Sequence, residues 1–402
     1  MPKPDFAFLP DFPPPLSALT LFGLLLLAGL IGGHLVRRVR LPAITGYIAV
    51  GMLVGHTGFG LLTAELLQQA RVFVDISLGL LLYDLGRRLD LQWLRQDRWL
   101  LVSGVSESLL SFVLVYAALA LYGLSPLYAA IGAAIGISTS PAVVMLIAQE
   151  NRAEGQVTER ALSLVAMNSV IAFVIVTVLL SVLHLEYQAS WANIVLHPLY
   201  LLAGSILLGV AGWCLALALG RWFGKREERQ FVMLVALVVL TVGGANMLQL
   251  SVVLALLVFG ILVKNFDRRH RVLPLELGVR AQLFFVVLFV VAGASLDARY
   301  LAVAGGAGLV YVVVRFVGKA LGVMLWAPLS GLRLKSAALL GLALTPMAGF
   351  AVVMVQDVWG LYPEPDVQAL AVVTSAVVLL EILGPVAVQF ALRRAGEAGA
   401  PR

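Results

Sequence analysis

The chain has 402 residues, of which 61% are apolar and 12% are charged, and its mean hydropathy is +0.99. A soluble fold cannot hide apolar surface on this scale, and the long apolar runs lack the alternation of a membrane β-barrel. The net charge of +6 would suggest a nucleic-acid partner for a soluble protein, but in a membrane protein it is interpreted loop by loop. The single cysteine, Cys214, excludes an intrachain disulfide.

Thirteen apolar segments are predicted to be membrane helices, which makes the chain an all-α polytopic membrane protein. To within a few residues they are 17–36, 43–57, 71–88, 99–122, 126–148, 159–184, 194–219, 229–247, 250–264, 278–296, 301–328, 335–357 and 366–391. The proline-rich residues 1–16 lack a small-residue cleavage site, so we interpret them as a short extracytoplasmic lead. Residues 17–391 are then a transporter domain, and 392–402 are a cytoplasmic tail too short for a soluble domain.

Lysine and arginine residues concentrate in alternate loops. One set of loops contains Arg37 and Arg38, Arg87 and Arg88, Arg221 and Lys225, and Lys264, whereas the other set holds little beyond Arg71 and Arg299. Basic loops remain in the cytoplasm. We therefore expect a multi-pass protein of a bacterial-type inner (plasma) membrane, with its N-terminus outside and its C-terminus in the cytoplasm.

Two of the segments are interrupted by polar residues and proline. The interruptions are Ser138, Thr139, Ser140 and Pro141 in the fifth segment, and residues 344–349, with Thr345 and Pro346, in the twelfth. Interrupted helices at corresponding positions of two halves indicate an inverted-repeat transporter. We therefore predict two inverted six-helix repeats joined by a linker helix.

An interrupted membrane helix leaves backbone groups that can coordinate an ion. The alternative is that each proline only kinks its helix, while serine and threonine satisfy the freed backbone. The sixth segment adds the polar pair Asn168 and Ser169, which offers amide and hydroxyl oxygens but no titratable group. Hydrogen bonding between helices is the alternative role for this pair.

Arg315 and Lys319 are the basic residues inside an apolar segment, and their spacing of four places them on one helix face. Cations at this depth need carboxylate or carbonyl partners or a wet cavity. They therefore indicate the neighbourhood of a functional site, with a structural clamp between helices as the alternative.

Acidic residues inside the segments are few. Glu107 lies in the fourth segment and Glu381 near the middle of the thirteenth, while Asp75 and Asp84 flank the third. A buried carboxyl group can exchange protons, so Glu107 and Glu381 are candidate proton-coupling carboxylates. For each, the alternative is an ion pair with one of the two core cations.

The sequence shows no phosphate loop, no metal-ligand cluster and no nucleophile paired with a base. We therefore expect no enzymatic activity, no cofactor, no nucleic-acid partner and no metal beyond a transported monovalent cation.

Several stretches resemble the monovalent cation:proton antiporters, specifically the second cation/proton antiporter family, which includes glutathione-gated potassium efflux proteins and sodium/proton exchangers. They are VRLPAITGYIAVGMLVGHTGFGLL (39–62), STSPAVVMLIAQENRAEGQVTERAL (138–162), LSVVLALLVFGILVKN (250–265), LFFVVLFVVAGASLD (283–297), VGKALG (317–322) and LTPMAGFAVVM (344–354). The resemblance covers nearly the whole chain, and the stretches occur in the family's order.

The resemblance implies a homodimer in the lipid bilayer, with a dimerisation domain beside a core domain in which the two broken helices cross. The third to sixth and tenth to thirteenth helices would form that core. It further implies exchange of a monovalent cation, Na⁺ or K⁺, for protons by an elevator-like movement.

One position departs from the family pattern. The helix after the first break carries an acidic pair, or Asn followed by Asp, in such antiporters, whereas this chain has Asn168 and Ser169. A serine hydroxyl does not release a proton near neutral pH. Lys319 resembles the family's core lysine, and the resemblance gives it Asn168 instead of a carboxylate as neighbour.

Three hypotheses follow from this departure. In the first, the chain is a working cation:proton antiporter in which Glu107 or Glu381 has taken over coupling. In the second, it has altered coupling or an anion substrate, because Arg315 and Lys319 leave the core more positive. In the third, it is a transport-inactive sensor or partner subunit.

Overall fold

The fold is described from a computed structural model. The described residues are 17–62, 64–186, 191–267, 271–273, 282–347, 351, 354–355 and 367–399. Their regular secondary structure is entirely helical. The helices are α1 (Ala18–Arg38), α2 (Ala43–Val54), α3 (Ala64–Arg88), α4 (Leu91–Gln96), α5 (Arg98–Leu121), α6 (Pro126–Ile137), α7 (Pro141–Glu150), α8 (Gln156–Glu186), α9 (Trp191–Phe223), α10 (Glu227–Met247), α11 (Val252–Phe266), α12 (Gln282–Ser295), α13 (Arg299–Ala304), α14 (Gly306–Trp326), α15 (Leu334–Ala343) and α16 (Val367–Ala395).

The predicted all-α membrane architecture is confirmed. Within the described residues, nine helical stretches are long and apolar enough to cross a membrane, and four shorter apolar helices accompany them. Each of the thirteen predicted segments overlaps one of these helices. The number of spans and the inverted repeat stay predictions.

Several predicted boundaries differ from the observed ones. α3 begins at Ala64, seven residues before the predicted start, so Asp75 lies about three turns inside the helix, whereas Asp84 lies about one turn before its C-terminal end, as expected. The polar residues of its first two turns lower the local hydropathy, which explains the difference. Two short helices, α4 and α13, were not predicted, and the lead 1–16 lies outside the described residues.

The C-terminal helix extends beyond its predicted end at residue 391. α16 continues to Ala395, and the residues after it fold back onto the start of α8. The carboxylate of Glu397 accepts hydrogen bonds from the backbone N–H groups of Val157 and Thr158, both at 2.8 Å, and from Thr158 Oγ1 at 2.7 Å. Glu397 therefore caps the N-terminus of a helix that begins about 240 residues earlier in the chain.

The helices pack as two bundles. One, the frame bundle, contains α1, α2, α3 and α9–α12; the other, the core bundle, contains α5–α8 and α13–α16. They meet where α8 packs against α9 and α11, where α3 packs against α7 and α8, and where α2 packs against α16. α3 and α12, which the resemblance assigned to the core, pack most extensively against α11 and α2 of the frame bundle.

Glycines set the closest approaches between helices. Gly86 of α3 lies against the backbone of α11, and Gly322 of α14 lies against the backbone of Glu107 in α5. In the described part of the chain, every glycine at which a Cβ would come within 3.0 Å of another segment lies against a segment of its own bundle.

Candidate functional site

The break in the fifth predicted segment is present between α6 and α7. Residues 138–140 are not helical, because Pro141 lacks an N–H group and its ring would clash with the preceding turn of a continuous helix. Ser138 Oγ donates to the carbonyl of Ile135 at 2.8 Å, and Ser140 Oγ accepts from the N–H of Val143 at 3.4 Å. The two serines thus satisfy backbone groups on either side of the break.

The second break follows α15. The helix ends at Ala343, and residues 344–347 are not helical. Thr345 Oγ1 donates to the carbonyl of Leu342 at 2.6 Å and closes the end of the helix. The remainder of the predicted interruption, residues 348–349, lies outside the described residues.

The two breaks lie against each other. The N–H of Ser140 donates to the carbonyl of Pro346 at 2.9 Å, and Thr139 Oγ1 donates to the carbonyl of Leu344 at 3.1 Å. Gly384 of α16 packs on the other side of Pro346, where a Cβ would collide with the proline. Unwound backbone from two helices is therefore enclosed by protein, as an interruption at membrane depth requires.

Arg315 holds both breaks. Its Nε donates to the carbonyl of Gly136 at 2.7 Å, its Nη2 to that of Ser138 at 2.6 Å, and its Nη1 to that of Thr345 at 2.7 Å. These carbonyls belong to helix ends that lack intrahelical donors and carry partial negative charge. The fully buried guanidinium therefore clamps the two breaks together.

Lys319 lies one turn further along α14 and has a carboxylate partner. Its Nζ donates to the carbonyl of Ile137 at 2.7 Å and is 2.8 Å from Glu107 Oε2, with both side chains 0% exposed. The expectation that Asn168 would replace a carboxylate beside Lys319 is therefore wrong. Of the two interpretations of Glu107, the structure shows the ion pair.

Asn168 connects this ion pair to the first break. Its Nδ2 donates to Glu107 Oε1 at 3.1 Å and to Thr139 Oγ1 at 3.0 Å, and its Oδ1 accepts from the N–H of Thr139 at 3.2 Å. The neighbouring Ser169 is fully buried, but its Oγ donates to the carbonyl of Val165 at 2.7 Å within its own helix. Asn168 therefore belongs to the polar network, and the Ser169 hydroxyl is occupied by a helix carbonyl.

Glu381 differs from Glu107 in forming no ion pair with a cation in the part of the chain that the structure describes. Its side chain is 1% exposed, and Oε1 has no hydrogen-bond partner among the described residues. Arg315 and Lys319 are engaged elsewhere, so the ion pair considered for Glu381 is not formed within that part of the chain.

A cavity of about 810 Å³ reaches Glu381. It lies between the bundles, lined by α3 and α9–α12 on one side and by α7, α8 and α16 on the other. Ser140 and Pro141, at the N-terminus of α7, line the same cavity. The Glu381 carboxyl group and the first break thus line one cavity.

The chain shows family membership over nearly its whole length. The model of the family described as sodium/hydrogen exchanger, transmembrane, matches residues 22–394. The chain belongs to this family. The resemblance to monovalent cation:proton antiporters is thereby confirmed, and the family is one of transporters rather than enzymes.

Solved structures agree with the fold of this exchanger. A structure of the sodium proton antiporter MjNhaP1 from Methanocaldococcus jannaschii at pH 8 is similar with a TM-score of 0.69, 16% identity and coverage of 94% of this chain and 98% of that one. A structure of the same antiporter from electron microscopy gives 0.68, 17%, 96% and 99%. At this identity the likeness concerns the fold. A search of curated proteins found no match.

The exchanger's polar network was only partly foreseen. Arg315 and Lys319 were placed on one face, and an ion pair of Glu107 with one of them was an alternative, but the sequence did not show that Lys319 is the partner or that Asn168 bonds to Glu107. A signal was available in the small residues: Gly322 lies one turn beyond Lys319 on α14, and its missing side chain lets α5 approach at Glu107 itself.

Proposed function

We propose that this exchanger moves a monovalent cation, Na⁺ or K⁺, against protons across a bacterial-type inner membrane, with Glu381 as the coupling carboxylate. The observation that carries the proposal is a buried carboxyl group that lines the cavity between the bundles and, among the described residues, forms no ion pair with a protein cation. No cofactor is needed for this exchange.

A lone carboxylate in a low-dielectric interior is costly unless a proton or a cation accompanies it. Glu381 therefore binds one or the other, and competition between the two at one site is the chemistry of exchange. Ser140 and other oxygen-bearing groups near the first break supply further ligands for the cation. The Ser169 position, where the family has its acid, then no longer needs a titratable group.

Glu107 is the less suitable coupling group. Its carboxylate is already neutralised by Lys319 and hydrogen bonded by Asn168. The same contacts weigh against an anion substrate, because every nitrogen of the Arg315 guanidinium donates to a carbonyl, and Lys319 is bound to Glu107 and a carbonyl. Arg315 and Lys319 thus bind carbonyl groups of the two breaks and the Glu107 carboxylate, and not a transported anion.

The position of the cavity between the two bundles also indicates the path of the cation and the movement that carries it. The cavity is lined by Gln68 and Arg71 near the start of α3 and by Gln249 after α10, which are on the predicted outer side. We therefore assign the structure to an outward-facing state, with the N-terminus outside and the C-terminus in the cytoplasm. An elevator-like shift of the core bundle against the frame bundle would carry Glu381 inward, and the frame bundle would form the homodimer.

The test is purified protein in proteoliposomes with an internal pH-sensitive dye, to which Na⁺ or K⁺ is added in turn. Wild-type protein is expected to show cation-dependent proton flux, Glu381→Gln to lose it, and Glu107→Gln to retain it. Glu159→Gln, at an exposed position in the first turn of α8, is the matched control and should behave like wild type.

Three results would contradict the proposal. Unchanged flux in Glu381→Gln removes this residue from coupling. Flux that follows chloride or an organic anion without Na⁺ or K⁺ supports altered substrate. A silent wild type that gains flux on Ser169→Asp supports a scaffold without transport.

A further inference from the structure

We propose that Asp75 and Asn246 form a second cation site at the mouth of the cavity, where a monovalent cation binds before it reaches Glu381, in competition with the guanidinium of Arg71. All four residues line the cavity. The inference rests on the proposed exchange and assigns the step by which the cation enters.

The spacing along α3 places Asp75 at the cavity wall. Gln68, Arg71, Asp75, Leu78 and Leu82 line the cavity and recur every three or four residues, as one face of a helix does. With a rise of about 1.5 Å per residue, Asp75 lies about 6 Å inward from Arg71 and about 10 Å outward from Leu82 along the helix.

Asp75 supplies a charge in the cavity wall, next to the apolar lining residues Leu78 and Leu82. It is half-buried, whereas Glu381 is 1% exposed. The two are the carboxylates among the described residues that line the cavity. A cation passing inward from Asp75 next meets leucine side chains, so it must lose water there. A carboxylate just before this stretch attracts the cation and offsets part of that loss.

Asn246 completes the site from the opposite wall. It lies near the end of α10, and its Nδ2 is 3.4 Å from Asp75 Oδ2, which is a long and weak hydrogen bond. The amide also has a carbonyl oxygen, and a half-turn of the side-chain amide presents that oxygen to a cation held by Asp75. A carboxylate and an amide oxygen are ligands suited to hard cations.

Arg71 gives the site a competitor. It lies one turn before Asp75 on the same face and is solvent-exposed. Its positive charge weakens cation binding at Asp75. Removing the aspartate charge and removing the arginine charge should therefore change the cation affinity in opposite directions, which a merely structural role does not predict.

The experiment compares Asp75→Asn and Arg71→Gln in the full chain. In proteoliposomes, Asp75→Asn is expected to raise the KM for Na⁺ or K⁺ about tenfold, and Arg71→Gln to lower it severalfold, with maximal rates within about twofold of wild type. Glu65→Gln, which removes a charge from the exposed first turn of the same helix, is the control and should leave KM unchanged.

A binding measurement separates this inference from the proposed exchange. Binding of ²²Na⁺ or ⁸⁶Rb⁺ is measured on purified Glu381→Gln protein, with gel filtration as the folding check. Residual binding that Asp75→Asn abolishes supports the mouth site even if no flux is found. Any of three results overturns the second cation site: binding that survives Asp75→Asn, no binding at all, or KM shifts of the same sign in both charge variants. Intact flux with normal KM values in these variants leaves the proposed exchange standing.

Discussion

The buried pair of Glu107 and Lys319 predicts a strongly non-additive effect on stability. Lys319→Met leaves the Glu107 carboxylate at 0% exposure without its ion-pair partner. Glu107→Gln leaves the Lys319 ammonium with the carbonyl of Ile137 and no counter-charge. In the double variant neither charge remains, and the amide of glutamine can still accept from Asn168.

The magnitudes follow from the burial of both groups. Removing one partner of a buried ion pair costs about 3–5 kcal/mol, whereas replacing both by uncharged groups of similar volume is close to neutral. For a chain of this length, an entropy of unfolding of about 2 cal/mol/K per residue converts 3–5 kcal/mol into a fall of about 4–6 °C in Tm. Each single variant should therefore melt well below wild type, and the double variant within about 2 °C of it.

The assay is thermal unfolding of the four purified proteins in one detergent, followed by intrinsic tryptophan fluorescence at a fixed heating rate. Equality of the double variant's loss with the sum of the two single losses would refute the reasoning, because the two side chains would then act independently. A double variant as unstable as either single one would place the cost in packing instead of charge.

Three further variants test other parts of the structure by the same melting assay or by flux. Ser169→Ala should change the KM for the cation less than twofold, because the serine hydroxyl is bonded to its own helix; a larger rise would make it a cation ligand. Gly322→Ala should cost about 1–3 kcal/mol through a backbone collision, while Gly243→Ala, in open space, should cost nothing. Glu397→Gln should cost about 1 kcal/mol by weakening the cap of α8, and the exposed Glu154→Gln should be neutral.

The helices and their breaks were predictable because their causes are local. A membrane helix needs about twenty apolar residues, and a proline stops the helical hydrogen bonds at its own position. The interruption before Pro141 and the shared face of Arg315 and Lys319 are consequences of spacing alone. The predictions that failed at this level were helix boundaries. At the start of α3, for example, polar residues continue the helix beyond its apolar segment.

The partners within the site were not predictable in the same way. Glu107 and Lys319 are separated by 212 residues, and no periodicity indicates which of two similar carboxyl groups faces the ammonium. The answer depends on how α5 and α14 pack, which the glycines of α14 decide. Glu381 became a distinct candidate only when the other charges were found to be engaged elsewhere.

The glycine contacts also determine which helices can slide. Where a glycine lets two backbones touch, an axial shift of a single residue would bring a neighbouring side chain into a space that holds none. Such contacts hold a pair of helices in one axial register. The described glycines form such contacts only inside each bundle. The surface between the two bundles is therefore the one along which one bundle can shift by a whole helical turn against the other without breaking a close glycine contact.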